Sequence, residues 1–456
     1  MKFGDDLQGR IERMDEKGRG VFTYQMPHIA DGTRQVAVPF TTTGDEIDAT
    51  FMKRDQGNWI ASLKEVTHPS SDRVTAPCPH AGVCGGCLWQ HMSYPAQLEL
   101  KRTQINQALE RAGHEERLKD VVPSTNTLHY RNRMDYVVGW QGTVGLKEYG
   151  SWNRYLDLQT CLLLDDATPT ILQHVRDWMK EHELAAWDAR RHTGLIRYCV
   201  IRLGKNTNER MVTIIVKDAA AISETARKGL TDRLAPLTTT LYLGENPEIT
   251  DLSLAKTLTL LHGKEYLSEE VNGLRYLVHP NSFFQTNSDM AATLQTTVLR
   301  FLGLDRAVSP SPSPFVMDLY CGSGFFGIAC AKAGARVYGH ELDAPAIELA
   351  QKNAIENDVA EQATFGAGPA EDLDWKALSP DAVIIDPPRS GLHPRALEML
   401  LEKKPPTIVY VSCSYRRLVE ELKQFKTLYR VEAIEALDLF PQTPHVEVVT
   451  KLVRIT

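Results

Sequence analysis

Three of the eight cysteines in this chain of 456 residues lie close together in the sequence. They are Cys78, Cys84 and Cys87, in the spacing C-x5-C-x2-C. Thiolates at this spacing bind soft metal ions and iron–sulfur clusters, and Gly85 and Gly86 let the loop fold tightly around a bound ion. Zinc and cubane clusters both require four ligands, so another residue must contribute. Cys161 is the best candidate, whereas His80 and His91 are rivals that would favour zinc.

Another cysteine, Cys413, follows an uncharged run of β-branched and aromatic residues at 408–411. That composition is typical of a strand buried on both faces, and residues 416–425 are then predicted to form a helix. Ligands of open α/β sheets bind at the carboxyl ends of such strands, and cysteine is the most nucleophilic side chain near neutral pH. A lone cysteine is more often a small buried hydrophobe. Its chemistry therefore depends on the groups that the fold brings beside it.

Strands alternate with helices from residue 315 onward, which predicts a parallel, Rossmann-like α/β fold. A glycine-rich turn follows Asp318, a second strand ends in Glu341, and a fourth ends in Asp386-Pro-Pro. An acid at the place of Glu341 can accept hydrogen bonds from ribose hydroxyls. The turn at residues 322–327 also fits the G-x-G-x-x-G pattern of nicotinamide enzymes. We set that alternative aside because the Asp-Pro-Pro motif and the Cys413 thiol have no role in hydride transfer.

The composition describes a globular protein of two or three domains. The chain has no apolar leader and no run of roughly 18 apolar residues, so we expect a cytoplasmic protein without a membrane span. Its net charge is −7, which argues weakly against nucleic acid as a partner. A formal sum does not describe a local basic patch, so the net charge does not exclude an RNA partner.

The first 66 residues are predicted to be all-β, with short apolar runs separated by glycines. They resemble the TRAM domain, an RNA-binding barrel of the OB type. The central residues 128–280 are predicted to be α+β. Within them, Arg197 and Arg202 alternate with apolar residues, so their side chains are predicted to face solvent or RNA. The Ser/Pro segment at 309–314 is predicted to be an extended surface connection.

Together these motifs make the chain similar to the RNA uridine-C5 methyltransferases, which form 5-methyluridine. The similarity covers essentially the whole chain: the barrel, the cysteine loop, the F-x-Q-x-N segment ending at Asn287, the D-x-x-C-G-x-G turn, D-P-P-R, S-C and the H-x-E triplet ending at Glu447. It implies a class I S-adenosylmethionine methyltransferase domain. The cysteine spacing resembles the iron–sulfur members that act on 23S ribosomal RNA. A [4Fe–4S] cluster with Cys161 as fourth ligand is therefore implied over zinc.

The resemblance assigns roles to individual residues. It implies that Cys413 is the nucleophile that adds to uracil C6 and that Glu447 is the base that removes the C5 proton. The cofactor S-adenosylmethionine would be bound by Gln285, Tyr320, Glu341 and Asp386, of which Asp386 and Gln285 could also touch the uracil edge. A thiol with an ordinary pKa near 8.5 needs activation, for which Arg389 is the candidate cation.

The resemblance also implies domain boundaries and partners. The predicted domains are a barrel at 1–66, a central iron–sulfur and RNA-binding domain at 67–94 and 127–280, and a catalytic domain at 95–126 and 281–456. The expected partner is RNA, with 23S ribosomal RNA first and transfer RNA as the alternative. The enzyme is expected to act as a monomer.

Two departures from the family pattern are present, and they involve three residues. Ser414 and Tyr415 replace the usual Asn-Pro after the nucleophile, and Pro369 replaces an acid or amide near the adenine. The first departure supports a different class of function, a non-catalytic RNA-binding or assembly factor on the same fold. That alternative predicts RNA binding without methyl transfer. Radical S-adenosylmethionine chemistry is disfavoured, because it requires C-x3-C-x2-C.

Overall fold

The N-terminal strands form one mixed sheet in the computed structural model, which describes residues 2–26, 32–55, 57–305, 312–373 and 378–455. These strands are β1 (Asp6–Arg10), β2 (Arg13–Met14), β3 (Gly20–Gln25), β4 (Thr33–Val38), β5 (Glu46–Asp55) and β6 (Asn58–His68). Within the described ranges the sheet order is β1-β5-β6-β4-β3-β2. Ile47, Ala49 and Phe51 alternate along β5 and lie in one apolar core with Trp59. This period of two buries one face of the strand and exposes the other.

Helix α1 (Tyr94–Arg111) follows this sheet. The chain as a whole divides into two compact units. The first comprises Met1–Gln104, Leu146–Leu156 and Phe440–His445, and the second comprises Ile105–Gly145, Asp157–Leu439 and Val446–Thr456. The finer division into three domains stays a prediction.

The central strands and helices precede the catalytic part of the second unit. They are β7 (Val121–Val122), β8 (Arg133–Val138), β9 (Val144–Lys147), β10 (Tyr155–Asp157), α2 (Thr168–Glu181), β11 (Ile196–Gly204), β12 (Glu209–Val216), α3 (Glu224–Leu234), β13 (Thr240–Glu245) and β14 (Thr257–Gly263). The described sheet runs β10-β9-β8-β11-β12-β13-β14. All pairs from β8 to β14 are antiparallel except β12 with β13.

The alternation of Arg197 and Arg202 along β11 is misleading, because every residue of this strand is buried. Arg197 is 1% exposed and donates hydrogen bonds to the carbonyl oxygens of Asn246 and Glu248. Arg202 is 3% exposed and donates to carbonyl oxygens that include that of His279. The prediction that these side chains face solvent or RNA was therefore wrong. Backbone oxygens of neighbouring loops satisfy both guanidinium groups inside the protein.

The rest of the chain alternates strands and helices after a short hairpin. The elements are β15 (Leu267–Val271), β16 (Leu274–Val278), α4 (Ser288–Leu302), β17 (Phe315–Leu319), α5 (Phe325–Lys332), β18 (Arg336–Glu341), α6 (Ala344–Glu356), β19 (Ala363–Ala367), β20 (Ala382–Ile385), α7 (Pro394–Lys403), β21 (Thr407–Ser412), α8 (Tyr415–Phe425), β22 (Tyr429–Leu437) and β23 (Glu447–Arg454).

Strands β17 to β23 form, together with β7, an eight-stranded sheet in the described part of the chain. Its order is β19-β18-β17-β20-β21-β23-β22-β7. The first five are parallel, as predicted from the strand–helix alternation. β23 lies antiparallel between β21 and β22, and β7 extends the sheet beside β22. The uncharged run in β21 is fully buried, because strands flank it on both sides and helices cover parallel sheets. The predicted Rossmann-like fold is thus confirmed.

Part of the Ser/Pro segment, residues 309–311, lies outside the described residues, so its predicted extended form stays a prediction. Among the helices that the structure describes, none has the length and apolar character needed to cross a membrane.

Candidate active site

Cys413 lies immediately beyond the carboxyl end of β21. The strand residues Tyr410 and Val411 are fully buried, whereas Cys413 is half-buried. Ser412 and Ser414 form a small brace around it: the Ser414 backbone N–H donates to Ser412 Oγ at 3.2 Å, and Ser412 Oγ–H donates to the Ser414 carbonyl oxygen at 3.2 Å. The thiol is therefore carried on a short, locally bonded turn between a rigid strand and the start of α8.

Asp386 and Arg389 follow the neighbouring strand β20. Because β20 pairs in parallel with β21, with Ile385 opposite Tyr410, the residues after both strands meet at one edge of the sheet. The Arg389 guanidinium lies within hydrogen-bonding reach of the Cys413 thiol. The Asp-Pro-Pro-Arg segment and the cysteine therefore belong to one site, although 27 positions separate Asp386 from Cys413.

Glu447 enters this edge from the opposite direction, as the first residue of β23. The antiparallel register places Val448 opposite Ser412, so the next pair along the two chains is Glu447 and Cys413. Glu447 is only 3% exposed. The pairing therefore brings a buried carboxyl group beside a thiol, as the proposed nucleophile and base require.

The charges at this edge shift one another's pKa values. Burial, followed by the negative charge of Asp386, raises the pKa of Glu447 well above its ordinary value, and Arg389 opposes this. Burial raises the pKa of Asp386 to about 7. Burial and the charge of Glu447 together raise the pKa of Cys413 to about 11, against the lowering effect of Arg389. The expected activation of the thiol is thus absent from the balance of these protein groups, although Arg389 acts in the predicted direction.

The glycine-rich turn lies at the same edge of the sheet, after β17. β17 pairs in parallel with β18, with Leu319 opposite His340, so Tyr320 and Glu341 follow adjacent strands. The Gly322 backbone N–H donates to Glu341 Oε2 at 3.2 Å. Gly324 has φ +86°, and an added Cβ would lie 2.9 Å from a side-chain carbon of the next helical turn, so glycine is required here.

Gln285 is brought toward this turn by the residues that flank it. The ring of Phe284 packs edge-on against that of Phe325, the first residue of α5, with 5.7 Å between the centroids. Asn132 Nδ2 donates to the Gln285 carbonyl oxygen at 2.8 Å, and Asn287 caps α4 by accepting a hydrogen bond from the Met290 backbone N–H. Gln285 is itself buried.

The comparisons with known proteins agree with this geometry. The family described as tRNA (uracil-5-)-methyltransferase matches residues 93–455. The chain belongs to this family. It is 34% identical to the tRNA (uracil(54)-C(5))-methyltransferase of Pyrococcus furiosus, over 98% of this chain and all of the relative. It is 32% identical to the 23S rRNA (uracil(747)-C(5))-methyltransferase of Pyrococcus horikoshii, with the same coverage.

A solved structure supports the same membership. The crystal structure of Pyrococcus abyssi tRNA (uracil-54, C5)-methyltransferase in complex with S-adenosyl-L-homocysteine matches with a TM-score of 0.80 and 32% identity. The match covers 98% of this chain and 100% of that one. The predicted membership in the RNA uracil-C5 methyltransferases is therefore confirmed.

Sequence reasoning missed one buried acid of this family member, Asp318. Its Oδ2 accepts a hydrogen bond from the Gly327 backbone N–H at 2.8 Å, while Oδ1 is buried with no hydrogen-bond partner among the described residues. Burial, with the charges of Asp386 and Glu341, raises the pKa of Asp318 to about 8. Asp318 is the first residue of the D-x-x-C-G-x-G motif, but the burial of its Oδ1 without a partner among the described residues follows only from the packed structure.

The cysteine loop of this methyltransferase lies in the first unit. The Gly85 backbone N–H donates to the Lys147 carbonyl oxygen at 3.0 Å, and the Tyr149 N–H donates to the Val83 carbonyl oxygen at 2.9 Å. Cys161 lies in the second unit, is buried, and contributes to raising the pKa of Tyr136.

Over the described ranges, no three His, Cys, Asp or Glu side chains are grouped as a metal ion would require. The thiolate donor set suits a soft metal ion or an iron–sulfur cluster by its chemistry.

Proposed function

We propose that this protein transfers a methyl group from S-adenosylmethionine to C5 of a uridine in a folded RNA. One observation carries the proposal: the register of β21 and β23, with Val448 opposite Ser412, continues toward Glu447 opposite Cys413, and the charge of Glu447 acts on that thiol. Membership in the RNA uracil-C5 methyltransferases supports it.

Cys413 and Glu447 have separate roles at the uracil ring. C5 of uracil is a poor nucleophile, and Cys413 overcomes this as a thiolate that adds to C6 and leaves an enolate with negative charge at C5. S-adenosylmethionine, when bound, supplies an electrophilic methyl group on a positively charged sulfur. After C5 has gained the methyl group, Glu447 accepts the C5 proton, the C5–C6 double bond re-forms and the thiolate leaves. The addition of the thiolate to C6 is thereby reversed, the methyl group stays on C5, and Cys413 is regenerated.

The acidic groups of the site suit a positively charged ligand. Burial raises the pKa values of both Asp318 and Asp386. A positive charge near them favours their ionised forms. We assign Asp386, Glu341, Tyr320 and Gln285 to the cofactor, with Glu341 placed to accept hydrogen bonds from ribose hydroxyls.

The raised pKa of Glu447 fits its proposed role. A general base works best when its pKa lies near the operating pH, and burial beside Asp386 moves this carboxyl group in that direction. The high pKa of Cys413 falls when the negative charge of Glu447 is neutralised, because that charge is one of its causes. Glu447 must be ionised to accept the C5 proton, and the positive charge of Arg389, which lowers the pKa of both Cys413 and Glu447, favours the reactive form of each residue.

The substrate experiment compares RNA from cells with and without this protein. We expect 5-methyluridine to disappear from one position of one RNA when the protein is absent, because a pocket of this kind takes an extruded base from a defined fold. Mass spectrometry of purified 23S ribosomal RNA and of transfer RNA separates the two candidates. We propose 23S ribosomal RNA first and transfer RNA as the alternative, and relatives of both kinds match at similar identity. Unchanged 5-methyluridine in both RNAs, with RNA binding intact, would instead support the non-catalytic factor.

We also propose that the N-terminal sheet is a TRAM-like OB barrel that contributes RNA binding, and that the enzyme acts as a cytoplasmic monomer. The six neighbouring strands of this sheet and the apolar core that they share support a small β module. The RNA contacts of this module rest on its resemblance to TRAM domains.

We further propose that Cys78, Cys84, Cys87 and Cys161 bind a [4Fe–4S] cluster, with zinc as the alternative. The donor set and its spacing support this, and no step of the reaction runs through the group. Protein purified without oxygen is expected to contain iron and acid-labile sulfide in equal amounts, and Cys87→Ser should lose both. Cys330→Ala is the control, because Cys330 lies buried in α5. Zinc without sulfide would contradict the cluster.

A further inference from the structure

A buried carboxylate, Glu421 on α8, fastens the loop that follows Asp386. Its Oε1 accepts a hydrogen bond from the Leu392 backbone N–H at 3.1 Å, and its Oε2 accepts one from the Tyr410 hydroxyl. Tyr410 is fully buried in β21, and Glu421 is only 8% exposed. One side chain thus joins a helix, the nucleophile strand and a loop.

The loop makes room for this carboxylate at Gly391. Gly391 has φ +86°, and an added Cβ would lie 2.1 Å from Glu421 Oε1. The Gly391 N–H also donates to the Pro388 carbonyl oxygen at 2.8 Å, which closes a turn. Any other residue would be both strained and in collision with the carboxylate. The absence of a side chain at Gly391 therefore leaves the space that the Glu421 carboxylate occupies.

Arg389 lies inside that turn. It is the positively charged side chain within hydrogen-bonding reach of the Cys413 thiol, and it also opposes the raised pKa of Glu447. Arg389 is exposed at the surface, so its own surroundings hold it weakly. The backbone from Pro388 to Leu392 must consequently set its position.

We propose that Glu421 is a positioning residue, which fixes the turn at residues 388–392 so that the Arg389 guanidinium faces the Cys413 thiol. It acts through Arg389, by way of the backbone of the turn. The inference rests on the proposed function for its effect on methyl transfer, but not for its effect on the thiol itself.

The charged and titratable groups around Cys413 and around Glu421 determine which variants the experiment must compare. Cys413 is faced by Glu447, Asp386 and Arg389. Glu421 is faced by Tyr410 and Arg417, and its charge reaches Tyr320. Burial raises the pKa of Glu421, while the Tyr410 hydroxyl and the Leu392 N–H favour its charged form.

The direct test measures the Cys413 thiol in the full chain without RNA or cofactor. The rate of alkylation by iodoacetamide is followed against pH by mass spectrometry of the peptide that contains Cys413. Glu421→Gln keeps the volume but removes the negative charge, so the bonds that the side chain makes to the Leu392 N–H and the Tyr410 hydroxyl are weakened. We expect alkylation at pH 8 to slow by about tenfold, the equivalent of one pKa unit. Tyr410→Phe, which removes the other partner, should change the rate in the same direction.

Arg389→Gln provides the decisive comparison. If Glu421 acts through Arg389, then Glu421→Gln added to Arg389→Gln changes the alkylation rate no further, because coupled residues are not additive. Glu420→Gln is the matched control, since Glu420 is the adjacent acid of α8, with a 62% exposed side chain in a surface ion pair with Lys423. It should behave as wild type.

Two results would overturn the proposal: an alkylation profile of Glu421→Gln equal to that of Glu420→Gln, or additive effects with Arg389→Gln. Methyl transfer is measured in parallel, where we expect kcat to fall ~10- to 100-fold with KM for RNA unchanged, as for small misplacements of a catalytic group. If the wild type methylates no RNA, the proposed function fails while the alkylation result still decides the role of Glu421.

Discussion

Replacing Cys413 with alanine is expected to abolish methyl transfer to RNA and to leave S-adenosylmethionine binding intact. The thiol is the group that can add to uracil C6, and without that addition C5 lacks the electron density to accept the methyl group. Loss of a nucleophile typically lowers turnover by about 10⁴-fold or more. Transfer of a radiolabelled methyl group to RNA gives the rate, and calorimetric titration gives the cofactor affinity.

The interpretation of this variant depends on folding and on the choice of control. Cys413 is half-buried at the end of a strand, and the substitution removes one sulfur atom, so the melting temperature should change little. Cys330→Ala, at a buried position in α5, should retain activity. Full methyl transfer by Cys413→Ala would show that the nucleophile has been assigned to the wrong residue.

Glu447→Gln is expected to stop the reaction one step later, with RNA covalently attached to the protein. The amide cannot accept the C5 proton, so the double bond does not re-form and the Cys413 sulfur stays bonded to C6. Removal of a general base usually costs ~10²–10⁴-fold. Labelled RNA should therefore migrate slowly with the protein in a denaturing gel, and each protein molecule should transfer a single methyl group.

The melting temperature distinguishes a loss of catalysis in Glu447→Gln from unfolding of the variant. The pKa of Glu447 is raised in the folded protein, so the folded state holds its proton more tightly than the unfolded state does. The free energy of unfolding therefore decreases as pH rises from the unfolded pKa, near 4.5, through the folded one. Because glutamine carries no charge, Glu447→Gln should melt at or above the wild-type temperature at pH 8.

The double variant Cys413→Ala, Glu447→Gln supplies the chemical control. It should give no slow band, because the sulfur that forms the bond is absent. Continued multiple turnover by Glu447→Gln, with no retained RNA, would contradict the role of Glu447 as base and would point to another acceptor of the C5 proton.

The sequence alone was enough to predict the α/β fold, and it supplied Cys413 and Glu447 as the proposed catalytic pair. Alternating apolar runs and helices specify a parallel sheet, because such strands must be covered on both faces. Three local motifs could each be identified from the sequence by itself: the glycine turn, the acid at Glu341 and the Asp-Pro-Pro segment that ends the fourth strand. Cys413 and Glu447 were identified because their surrounding motifs resemble those of a known family.

The tertiary structure decided what these residues have around them. Arg197 and Arg202 follow a surface-like alternation but are buried, since distant carbonyl oxygens satisfy them. The register of β21 with β23 determines that Glu447 lies beside Cys413, and burial raises the pKa values of both groups. The contact between Glu421 and Gly391 joins residues 30 positions apart. Spacing within a motif is set by local geometry and can be read from sequence, whereas burial and the approach of distant charges exist only once the chain has packed.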